Sequence, residues 1–531
     1  MSCSPSAGIG AQERALRQFG LPYEVTNTCD CDKDAVLSYA AMRWDLEKEI
    51  EIFNFPTQDE MVEELQAKNL GYDFQKGKHT ITKKTPLPKL KQYYIADKLS
   101  KNLGDIGLVE KLPYADLVTY SYPCTDLSVA GKGEGMTNKC EKCGHTWPID
   151  FEHPEINNIC TNCKNIDIKS TRSGLLGEVQ RLLTVAYEED ILPKYLLLEN
   201  VKNLVGTKYK PQFESWVNWL NLIGYNTYYQ VLNGKQYGVP QNRERIFAVS
   251  IRKDVDIKSF TFPEIIPLTT RLKDVLEEHV DESFYFPDER VEKLVDLALL
   301  WGKKHKQMSY TDEPEVCQII NIMPGSRRAN PNQGRTYSIN GIAPTLTKMD
   351  GGNRQPFIIE EEPFIVASRG RNVENPSDRT AGIPTEQRLE PNFSGCTNTL
   401  TSVQKDNYVV EPIVCEERKD EGIRLFKDDC VGTLRTIDAC GDKRVLEPEV
   451  AEAPKIKWRI RKLTPKCCWR LMNFTDEDHD RAAKYTSPSA RYKMAGNSII
   501  VSCLIAIFSS LFIENGYKAE VWTKYMLNYN N

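Results

Sequence analysis

TyrLeuLeuLeuGluAsn, at residues 195–200, is one of three short apolar segments in the first half of the chain. The other two are AlaAspLeuValThrTyr (115–120) and IlePheAlaValSerIle (246–251), and all three have the length of a buried β-strand. A helical pattern, GlyLeuLeuGlyGluValGlnArgLeuLeu (174–183), lies between the first two in the chain. Strands that alternate with helices predict an α/β fold with a parallel sheet.

The rest of the chain divides by composition. Residues 47–101 are polar and rich in lysine, which indicates an insertion or a long surface excursion. Pro, Gly, Asn and Asp become frequent over residues 256–458, and helical patterns return over residues 459–531. We therefore predict a main domain at residues 1–255, a smaller domain of strands and loops at 256–458, and a C-terminal segment that returns to the main domain.

Length and charge limit the class of protein. A chain of 531 residues is expected to form at least two folding units. The net charge of -5 excludes a uniformly basic surface, although it allows local basic patches. The longest apolar run, residues 501–513, is too short to cross a bilayer and is expected to be a buried helix. No secretory signal is visible, so we expect a cytoplasmic protein without a membrane partner. We also expect a monomer.

A cysteine and a carboxylate stand at the ends of two predicted strands. Cys124 lies in SerTyrProCysThrAspLeuSer, directly after residues 115–120, and Glu199 closes residues 195–200. Ligands bind at the carboxyl ends of parallel strands, and a carboxylate there is costly without a partner or a task. Alone, Cys124 is better explained as a small buried side chain. Together with Glu199 it indicates a covalent nucleophilic site.

Two arginines precede the third strand. In TyrGlyValProGlnAsnArgGluArgIlePheAlaVal (237–249), Arg243 and Arg245 alternate with Glu244 and point to one side of an extended chain. Binding of a phosphate, an ion pair with Glu199 and a surface ion pair all fit this pattern, and the residues alone do not decide among them.

The N-terminal segment fits a nucleotide-like ligand. SerAlaGlyIleGlyAlaGlnGluArgAlaLeu (6–16) is a Gly-x-Gly turn that opens a helix, and such a turn lets a ligand approach the backbone. Asp30 follows about twenty residues later, at the end of a predicted strand, where an acidic residue suits a ribose diol. The turn alone is weak evidence, but the spacing supports a cofactor that contains adenosine.

Six segments, taken in order, resemble the DNA cytosine-5 methyltransferase family of bacteria and phages. They are AlaGlyIleGly (7–10), ProCys (123–124), GluAsnVal (199–201), Gln-x-Arg-x-Arg (241–245), ArgLysLeuThrProLysCysCysTrpArgLeuMetAsnPhe (461–474) and AlaGlyAsnSerIleIle (495–500). The resemblance implies a Rossmann-like domain that transfers a methyl group from S-adenosylmethionine to C5 of cytosine in double-stranded DNA, as in restriction-modification systems. Residues 256–458 would then be the target recognition domain.

The resemblance also implies a role for each matched residue. Cys124 would add as a thiolate to the ring carbon next to C5 of a flipped base, and Glu199 would protonate the ring nitrogen. Arg243 and Arg245 would hold the base, Glu199 or a phosphate. The implied cofactor residues are Ala7, Gly8, Ile9, Gly10, Asp30, Asp105, Ile106, Leu175, Asn497 and Ser498. The polar start, MetSerCysSerProSer, predicts that the strand before the first glycine is short.

Four cysteines predict a metal site. Cys140, Cys143, Cys160 and Cys163 form two Cys-x-x-Cys pairs separated by sixteen residues, which is typical of a structural zinc ribbon. We place the ribbon at residues 137–168. It would interrupt the loop that follows Pro-Cys, which runs on without an insertion in the family.

A weak repeat lies within residues 256–458. ThrTyrSerIleAsnGlyIleAlaProThrLeuThr (336–347), LeuGluProAsnPheSerGlyCysThrAsnThrLeuThr (389–401) and LeuPheLysAspAspCysValGlyThrLeuArg (425–435) each contain a Thr-Leu pair. Three similar β-hairpins would explain the repeat, and so would three loops presented to a common partner.

Two other functions are compatible with these residues. An RNA cytosine-5 methyltransferase would share the fold and the chemistry, but the long segment 256–458 favours DNA. A non-enzymatic DNA-binding protein would keep the zinc ribbon and have a degenerate cofactor pocket. Binding of S-adenosylmethionine distinguishes this last possibility from the two enzymes.

Overall fold

The fold is given by a computed structural model of the chain. It describes residues 2–4, 8–20, 22–122, 127, 136–170, 175–285, 315–316, 318–321, 334–339, 341–349, 355–361, 364–372, 385–392, 407–410, 414–418, 422–426, 443–445 and 458–526. Four predicted features lie outside these residues, namely Ala7, Cys124 and the second and third Thr-Leu pairs.

The helices and strands are numbered in chain order. The α-helices are α1 (Ala11–Gln18), α2 (Lys33–Arg43), α3 (Leu46–Ile52), α4 (Gln58–Ala67), α5 (Leu87–Leu99), α6 (Leu176–Glu188), α7 (Lys210–Leu222), α8 (Pro465–Arg470), α9 (Asp476–Ala483), α10 (Pro488–Asn497), α11 (Val501–Phe512) and α12 (Ala519–Trp522). Short 3-10 helices cover Ile106–Leu108, Pro154–Asn158, Lys202–Val205, Gly234–Tyr237, Leu272–Val275, Glu282–Phe284 and Thr523–Tyr525.

The strands of the first half are β1 (Ser2–Ser4), β2 (Val25–Thr28), β3 (Tyr72–Asp73), β4 (Lys78–His79), β5 (Leu117–Tyr120), β6 (Thr137–Cys140), β7 (Thr146–Pro148), β8 (Ile168–Ser170), β9 (Tyr195–Val201), β10 (Tyr225–Asn233), β11 (Gln241–Asn242) and β12 (Glu244–Arg252). Those of the second half are β13 (Gln318–Asn321), β14 (Arg335–Ser338), β15 (Ala343–Pro344), β16 (Phe357–Glu361), β17 (Phe364–Asn372), β18 (Thr385–Asn392), β19 (Asn407–Val410), β20 (Val414–Arg418), β21 (Gly422–Phe426), β22 (Lys443–Val445) and β23 (Trp458–Lys462).

The main sheet of the described chain has the strand order β10-β12-β9-β5-β1-β2. β9, β5, β1 and β2 are parallel, as predicted, so their carboxyl ends meet at one edge of the sheet. The prediction is wrong for β12, which runs antiparallel to both β9 and β10. β10 and β12 are joined without a crossover helix, and a direct connection returns the chain in the opposite direction.

Both faces of this sheet are buried. Leu117, Leu197 and Phe247 belong to one apolar cluster with α1 and α11, whereas Val118 and Leu198 belong to a second with α6 and α7. Successive strand residues point to opposite faces, which explains why neighbours such as Leu117 and Val118 enter different clusters. The result is a sheet between two helical layers, the doubly covered α/β architecture.

The apolar C-terminal helix lies inside the fold. Residues 488–512 are long and apolar enough, by length and composition, to cross a membrane, but 78% of their most apolar window is buried in the protein. Leu504, Ile505 and Phe508 of α11 are fully buried in the first apolar cluster. The prediction of a buried helix at this position is therefore confirmed.

The strand before the first glycine is present and short. β1 has three residues and lies between β2 and β5, with a register shift between Ser2 and Cys3. The predicted short strand is confirmed, and the turn that contains Gly8 and Gly10 follows it at the carboxyl edge of the sheet.

The insertion at residues 47–101 is a folded element and not a surface excursion. It forms α3, α4, the β3–β4 hairpin and α5, and a capping box between Thr57 and Glu60 starts α4. Its buried side chains include Met61 and Leu65, which join a cluster with Leu37 of α2. Met61, Val62 and Leu65 of α4 are buried, and together with Leu90, Tyr94 and Ile95 of α5 they give the insertion its own apolar core.

Two compact units divide the chain. The first consists of Met1–Phe284, Lys306–Ile358 and Lys462–Asn531, and the second of Tyr285–His305 and Ile359–Arg461. In the second unit β17 pairs with β18 and β19, and β20 pairs with β21 and β22. Residues 306–358, which hold the first Thr-Leu pair, belong to the first unit. The functional domain boundaries given above remain a prediction.

Candidate active site

Glu199 of β9 and Arg245 of β12 form an ion pair between two neighbouring strands. The Arg245 Nε lies 3.2 Å from the Glu199 Oε1, and their side chains are only 16% and 10% exposed. Glu199 lies opposite Phe247 in the register of β9 and β12, so Arg245 is its diagonal neighbour. Of the three partners that the sequence left open for Arg245, the structure has Glu199.

The protonation of Glu199 depends on two opposing effects. Burial raises the pKa of this carboxyl, and the positive charges of Arg245 and Arg243 lower it, with a net increase above the usual value. A raised pKa favours the protonated form of a carboxyl, which can deliver its proton to a buried acceptor. Glu199 therefore has the environment of a general acid that is held in place by an arginine.

Arg243 has different partners from Arg245. Its guanidinium donates to the backbone oxygen of Leu346 at 2.7 Å, of Gly496 at 3.0 Å and of Ser498 at 2.8 Å. The residue is buried. Arg243 thus joins the segment after β15 to the end of α10, and the arginines of Gln-x-Arg-x-Arg hold two different parts of the site.

Two asparagines hold the chain on both sides of Cys124. The Asn200 Nδ2 donates to the Tyr122 carbonyl at 3.1 Å, and the Asn203 Nδ2 donates to the Leu127 carbonyl at 2.5 Å. Cys124 itself lies outside the described residues. The two carbonyls that flank it in the sequence are bound by side chains that follow Glu199 by one and by four residues. The sequence analysis missed both asparagines, although Asn200 belongs to the matched GluAsnVal segment.

The glycine turn and Asp30 are joined directly. The Gly8 backbone N–H donates to the Asp30 Oδ2 at 3.0 Å. Gly8 has φ +51°, and a Cβ built on it would meet no atom of the described residues within 4 Å, whereas one on Gly10 would lie 2.5 Å from the Tyr39 ring. The open side of Gly8 leaves room for a ligand against the backbone, as a nucleotide-like cofactor requires.

Burial raises the pKa of the Asp30 carboxyl. Burial and the neighbouring charge of Asp32 raise its pKa to about 6, although hydrogen bonds from backbone N–H groups, including that of Gly8, and the charge of Lys493 oppose this increase. Lys493 of α10 also binds Asp32 directly, at 2.5 Å. The helix that carries Asn497 is thereby attached to the loop that carries Asp30.

The remaining predicted cofactor residues lie near the carboxyl edge of the sheet or at helix ends. Asp105 is half-buried, and Ile106, which follows it, is buried. The loop before them is bound to the end of β2, because Leu103 donates to the Thr28 carbonyl at 2.8 Å. Ile9 is buried, Leu175 caps the start of α6, Asn497 is the exposed last residue of α10, and Ser498 is buried next to it.

The first Thr-Leu pair contacts the arginine segment. β15 pairs in parallel with β11, and the Thr345 hydroxyl donates to the Asn242 carbonyl at 2.5 Å. A Cβ on Gly496 would lie 2.1 Å from the Thr347 carbonyl oxygen, so only glycine allows this approach. The first Thr-Leu pair is therefore part of the same assembly as Arg243, which the repeat pattern alone did not predict.

The four predicted ligand cysteines come together. Their sulfur atoms all lie within 4.8 Å of one another, with 3.5 Å between Cys140 and Cys163 and 3.6 Å between Cys143 and Cys160. A tetrahedral site with zinc–sulfur bonds of about 2.3 Å has sulfur separations of about 3.8 Å. The donor set fits a zinc ion.

Each Cys-x-x-Cys pair forms the same turn. Gly144 and Lys164 follow the second cysteine of each pair, have left-handed φ values of 72° and 60°, and donate to the Cys140 and Cys160 carbonyls at 2.9 Å. Although burial raises it, hydrogen bonds that include those from backbone amides lower the pKa of the Cys140 thiol to about 6. Neighbouring thiols and burial raise that of Cys163 to about 12 despite a backbone hydrogen bond. A cation would allow all four to ionise.

The base of the ribbon is fixed to the helical layer. The Phe151 N–H donates to the Ser215 Oγ at 3.2 Å, its carbonyl accepts from the Gln180 Nε2 at 2.6 Å, and its ring contacts that of Trp216. The Gln212 Nε2 donates to the Met136 carbonyl at 2.5 Å. α6 and α7 therefore hold the segment that enters the ribbon and the segment that follows β7.

The chain matches the sequence pattern of a known protein family. The sequence pattern of the C-5 cytosine-specific DNA methylase family matches residues 65–143 and 161–512. The chain is 30% identical over 538 residues to the orphan methyltransferase M.SPBetaI of Bacillus phage SPbeta, covering 95% of this chain and 96% of the relative. It is 36% identical to the type II methyltransferase M2.ScrFI of Lactococcus lactis subsp. cremoris, over 54% of this chain and 69% of that protein.

A solved structure gives a weaker likeness. The Dnmt2 methyltransferase of S. pombe is 13% identical to this chain, with a TM-score of 0.42 over 97% of this chain and 99% of that one. The sequence match alone covers well over half of the chain. The chain therefore belongs to the C-5 cytosine-specific DNA methylase family and is an S-adenosylmethionine-dependent enzyme that methylates cytosine in DNA.

Proposed function

We propose that Cys124 is the nucleophile and Glu199 the general acid of this methyltransferase, acting on a cytosine flipped out of double-stranded DNA. One observation carries the assignment. Asn200 and Asn203, which follow Glu199 in the chain, bind the carbonyls of Tyr122 and Leu127, the described residues that flank Cys124 in the sequence. A thiol and a buried acid at one strand edge are what addition to a pyrimidine ring needs.

The steps follow from these two groups. The Cys124 thiolate forms a bond to the ring carbon next to C5, and Glu199 donates its proton to the ring nitrogen that takes up the electron pair. When bound, S-adenosylmethionine would supply the methyl group to C5 and leave as S-adenosylhomocysteine. The C5 proton then passes to water and the electron pair of the C5–H bond re-forms the ring double bond, while the Cys124 sulfur leaves as a thiolate. The ring nitrogen returns its proton to Glu199, and the aromatic ring is restored.

The two arginines have separate tasks in this proposal. Arg245 orients the Glu199 carboxyl, to which it is bound at 3.2 Å. Arg243 is a positioning residue, since its guanidinium binds three backbone carbonyls. It keeps the first Thr-Leu segment and Ser498 in register with the catalytic strand.

The cofactor would lie along the glycine turn. Gly8 has an open face, and Asp30 is bound to its N–H, so Ala7, Gly8, Ile9 and Gly10 would line the ligand and Asp30 would accept the ribose hydroxyls. Asp105 and Ile106 would hold the adenine end, and Leu175, Asn497 and Ser498 would complete the site. Among the described residues, Gly8 and Gly10 follow β1 and Asp30 follows β2. Asp105 follows α5, Leu175 precedes α6, and Asn497 and Ser498 lie at the end of α10, all in the same compact unit.

This arrangement predicts a pH effect on cofactor binding. The Asp30 pKa is about 6, so below that pH the carboxyl is protonated and loses acceptor strength for the ribose. We expect the affinity for S-adenosylhomocysteine to fall about fourfold from about pH 7.5 to about pH 5.5, the ratio of ionised fractions for such a group. Calorimetry measures it. Asp30→Asn should bind with no change over this interval, and an equal loss in the variant would assign the effect to another group.

Residues 137–168 are proposed to be a structural zinc ribbon. The four sulfur atoms, the paired turns and the anchored base support a fixed module at the edge of the catalytic loop. The family match stops at residue 143 and resumes at 161, which is what an added ribbon interior would produce. In this proposal the ribbon holds the far end of the loop that begins at Cys124.

Loss of the metal should disorder the ribbon and leave the sheet intact. We expect Cys140→Ser with Cys143→Ser to lose the zinc, to reduce turnover strongly and to keep the affinity for S-adenosylmethionine within about twofold, because such segments unfold without metal. Metal analysis, turnover and calorimetry test this. The control is Glu141→Gln, an exposed non-ligand within the same turn. A zinc-free double variant with normal turnover would make the ribbon irrelevant to catalysis.

Residues 256–458 are proposed to act as the target recognition domain, with the Thr-Leu pairs directed to DNA. The first pair adjoins the active-site arginine segment, since the Thr345 hydroxyl donates to the Asn242 carbonyl. We further propose that the protein acts as a monomer in the cytoplasm of a bacterial or phage-infected cell, as part of a restriction-modification system or alone.

Bisulfite sequencing tests the proposal as a whole. DNA from cells that express the wild-type protein should carry 5-methylcytosine at a defined sequence, and DNA from cells with Cys124→Ser should carry none. Methylation of RNA instead of DNA, or equal methylation by both proteins, would contradict it.

A further inference from the structure

The helical insertion contacts both loops of the proposed cofactor site. The Gly71 N–H donates to the Cys31 carbonyl at 2.8 Å, and the Asp105 N–H donates to the Lys68 carbonyl at 2.9 Å. A Cβ on Gly104 would lie 2.3 Å from that same carbonyl oxygen, so the two segments touch through their backbones. The turn after α4 is thus a wall of the region between Asp30 and Asp105.

Asn69 directs its side chain at the Asp105 carboxylate. The Asn69 Nδ2 donates to the Asp105 Oδ2 at 2.9 Å. Asn69 has a left-handed φ of 54°, a conformation that asparagine and glycine adopt more readily than other residues. The left-handed backbone at Asn69 directs its side-chain amide toward Asp105.

The second oxygen of Asp105 is also engaged. The Gly107 N–H donates to the Asp105 Oδ1 at 3.1 Å. With one donor on each oxygen the carboxylate cannot rotate freely, and each oxygen keeps a lone pair for a further donor. Asp105 is half-buried, so a ligand can reach it.

Lys68 fixes the base of the same turn. Its ammonium group is bound to the buried Asp97 carboxylate at 2.7 Å and to the Asn102 carbonyl at 2.9 Å. Asn102 in turn donates to the Asp30 carbonyl at 3.0 Å. The insertion, the Asp30 loop and the Asp105 loop therefore form one connected network.

We propose that Asn69 is a positioning residue for cofactor binding, which holds the Asp105 carboxylate where it accepts the exocyclic amine of the adenine ring. This inference rests on the proposed placement of the adenine at Asp105. The insertion would then have a function in cofactor binding, because its residue Asn69 orients the Asp105 carboxylate that recognises the adenine amine.

The test compares two ligands by calorimetry. One is S-adenosylhomocysteine, and the other is its analogue with hydrogen in place of the purine 6-amine. Asn69→Gly keeps the left-handed backbone and removes the donor, and we expect about a tenfold loss of affinity for the first ligand and less than a twofold loss for the second. A merely structural role would weaken both ligands equally, and that result would overturn the inference.

Further variants separate this inference from the proposed function. Asn69→Asp has the same size and backbone preference but places a carboxylate beside Asp105, and it should discriminate against the amine at least as strongly, which keeps the test valid if Asn69→Gly does not fold. Gln75→Gly, in the exposed turn of the same insertion, should bind both ligands normally. If Asp105→Asn affects both ligands equally, the placement of the adenine is wrong. If Asp105→Asn discriminates and neither Asn69 variant does, only the inference about Asn69 is wrong.

Discussion

Cys124→Ser is expected to abolish methylation, with a loss of at least about 10³-fold in the rate, as for other nucleophiles that act within a catalytic unit. The reason is chemical, since a serine hydroxyl is far less ionised than a thiol at neutral pH and does not add to the ring. The fold around it should persist, because Asn200 and Asn203 bind the backbone on either side and not the Cys124 side chain. Transfer of a labelled methyl group to DNA measures the rate.

The control for this variant is DNA binding, which should survive. Normal binding with no transfer separates the loss of a nucleophile from the loss of a folded loop. Activity within about tenfold of the wild-type rate would exclude Cys124 as the nucleophile, because a change of one bond-forming atom must cost more than that.

Glu199→Gln is expected to slow the chemical step by about 10- to 100-fold, in the range of general acid catalysis. Burial raises the pKa of Glu199, so the wild-type carboxyl can hold the proton that the ring nitrogen needs, and a glutamine amide cannot deliver one. The substitution keeps the size of the side chain but removes the charge that binds Arg245. Single-turnover methylation with saturating cofactor measures the chemical step directly.

The matched control is Glu244→Gln. Glu244 adjoins Arg245 in the chain, but it is exposed and paired with Lys202, so its loss should leave the single-turnover rate within about twofold. If Glu199→Gln instead weakened cofactor binding and left single-turnover methylation intact, Glu199 would be a structural residue.

The sequence predicted the parts of the fold that depend on local pattern. Apolar runs placed strands at 115–120, 195–200 and 246–251, and the structure has β5, β9 and β12 there. The four cysteines were found from spacing alone, because a small metal site requires ligands close together in the chain. The ion pair of Arg245 with Glu199 was one of three possibilities.

Long-range features could not be predicted in this way. The direction of β12 depends on how β10 connects to it, and the partners of Arg243 are carbonyls more than one hundred residues away in the chain. The helical insertion, in contrast, could have been predicted from local pattern, since Met61 and Leu65 are four residues apart and indicate a buried helical face. The interpretation as a surface excursion rested on the lysine content of the segment.

Covalent trapping on 5-fluorocytosine DNA is the most direct test of the central claim. Fluorine at C5 cannot leave as a proton, so after methyl transfer the enzyme should stay attached to DNA through Cys124. We expect a protein–DNA adduct on a denaturing gel that needs S-adenosylmethionine and is missing with Cys124→Ser. An active enzyme that gives no adduct, or an adduct that Cys124→Ser still forms, would contradict it.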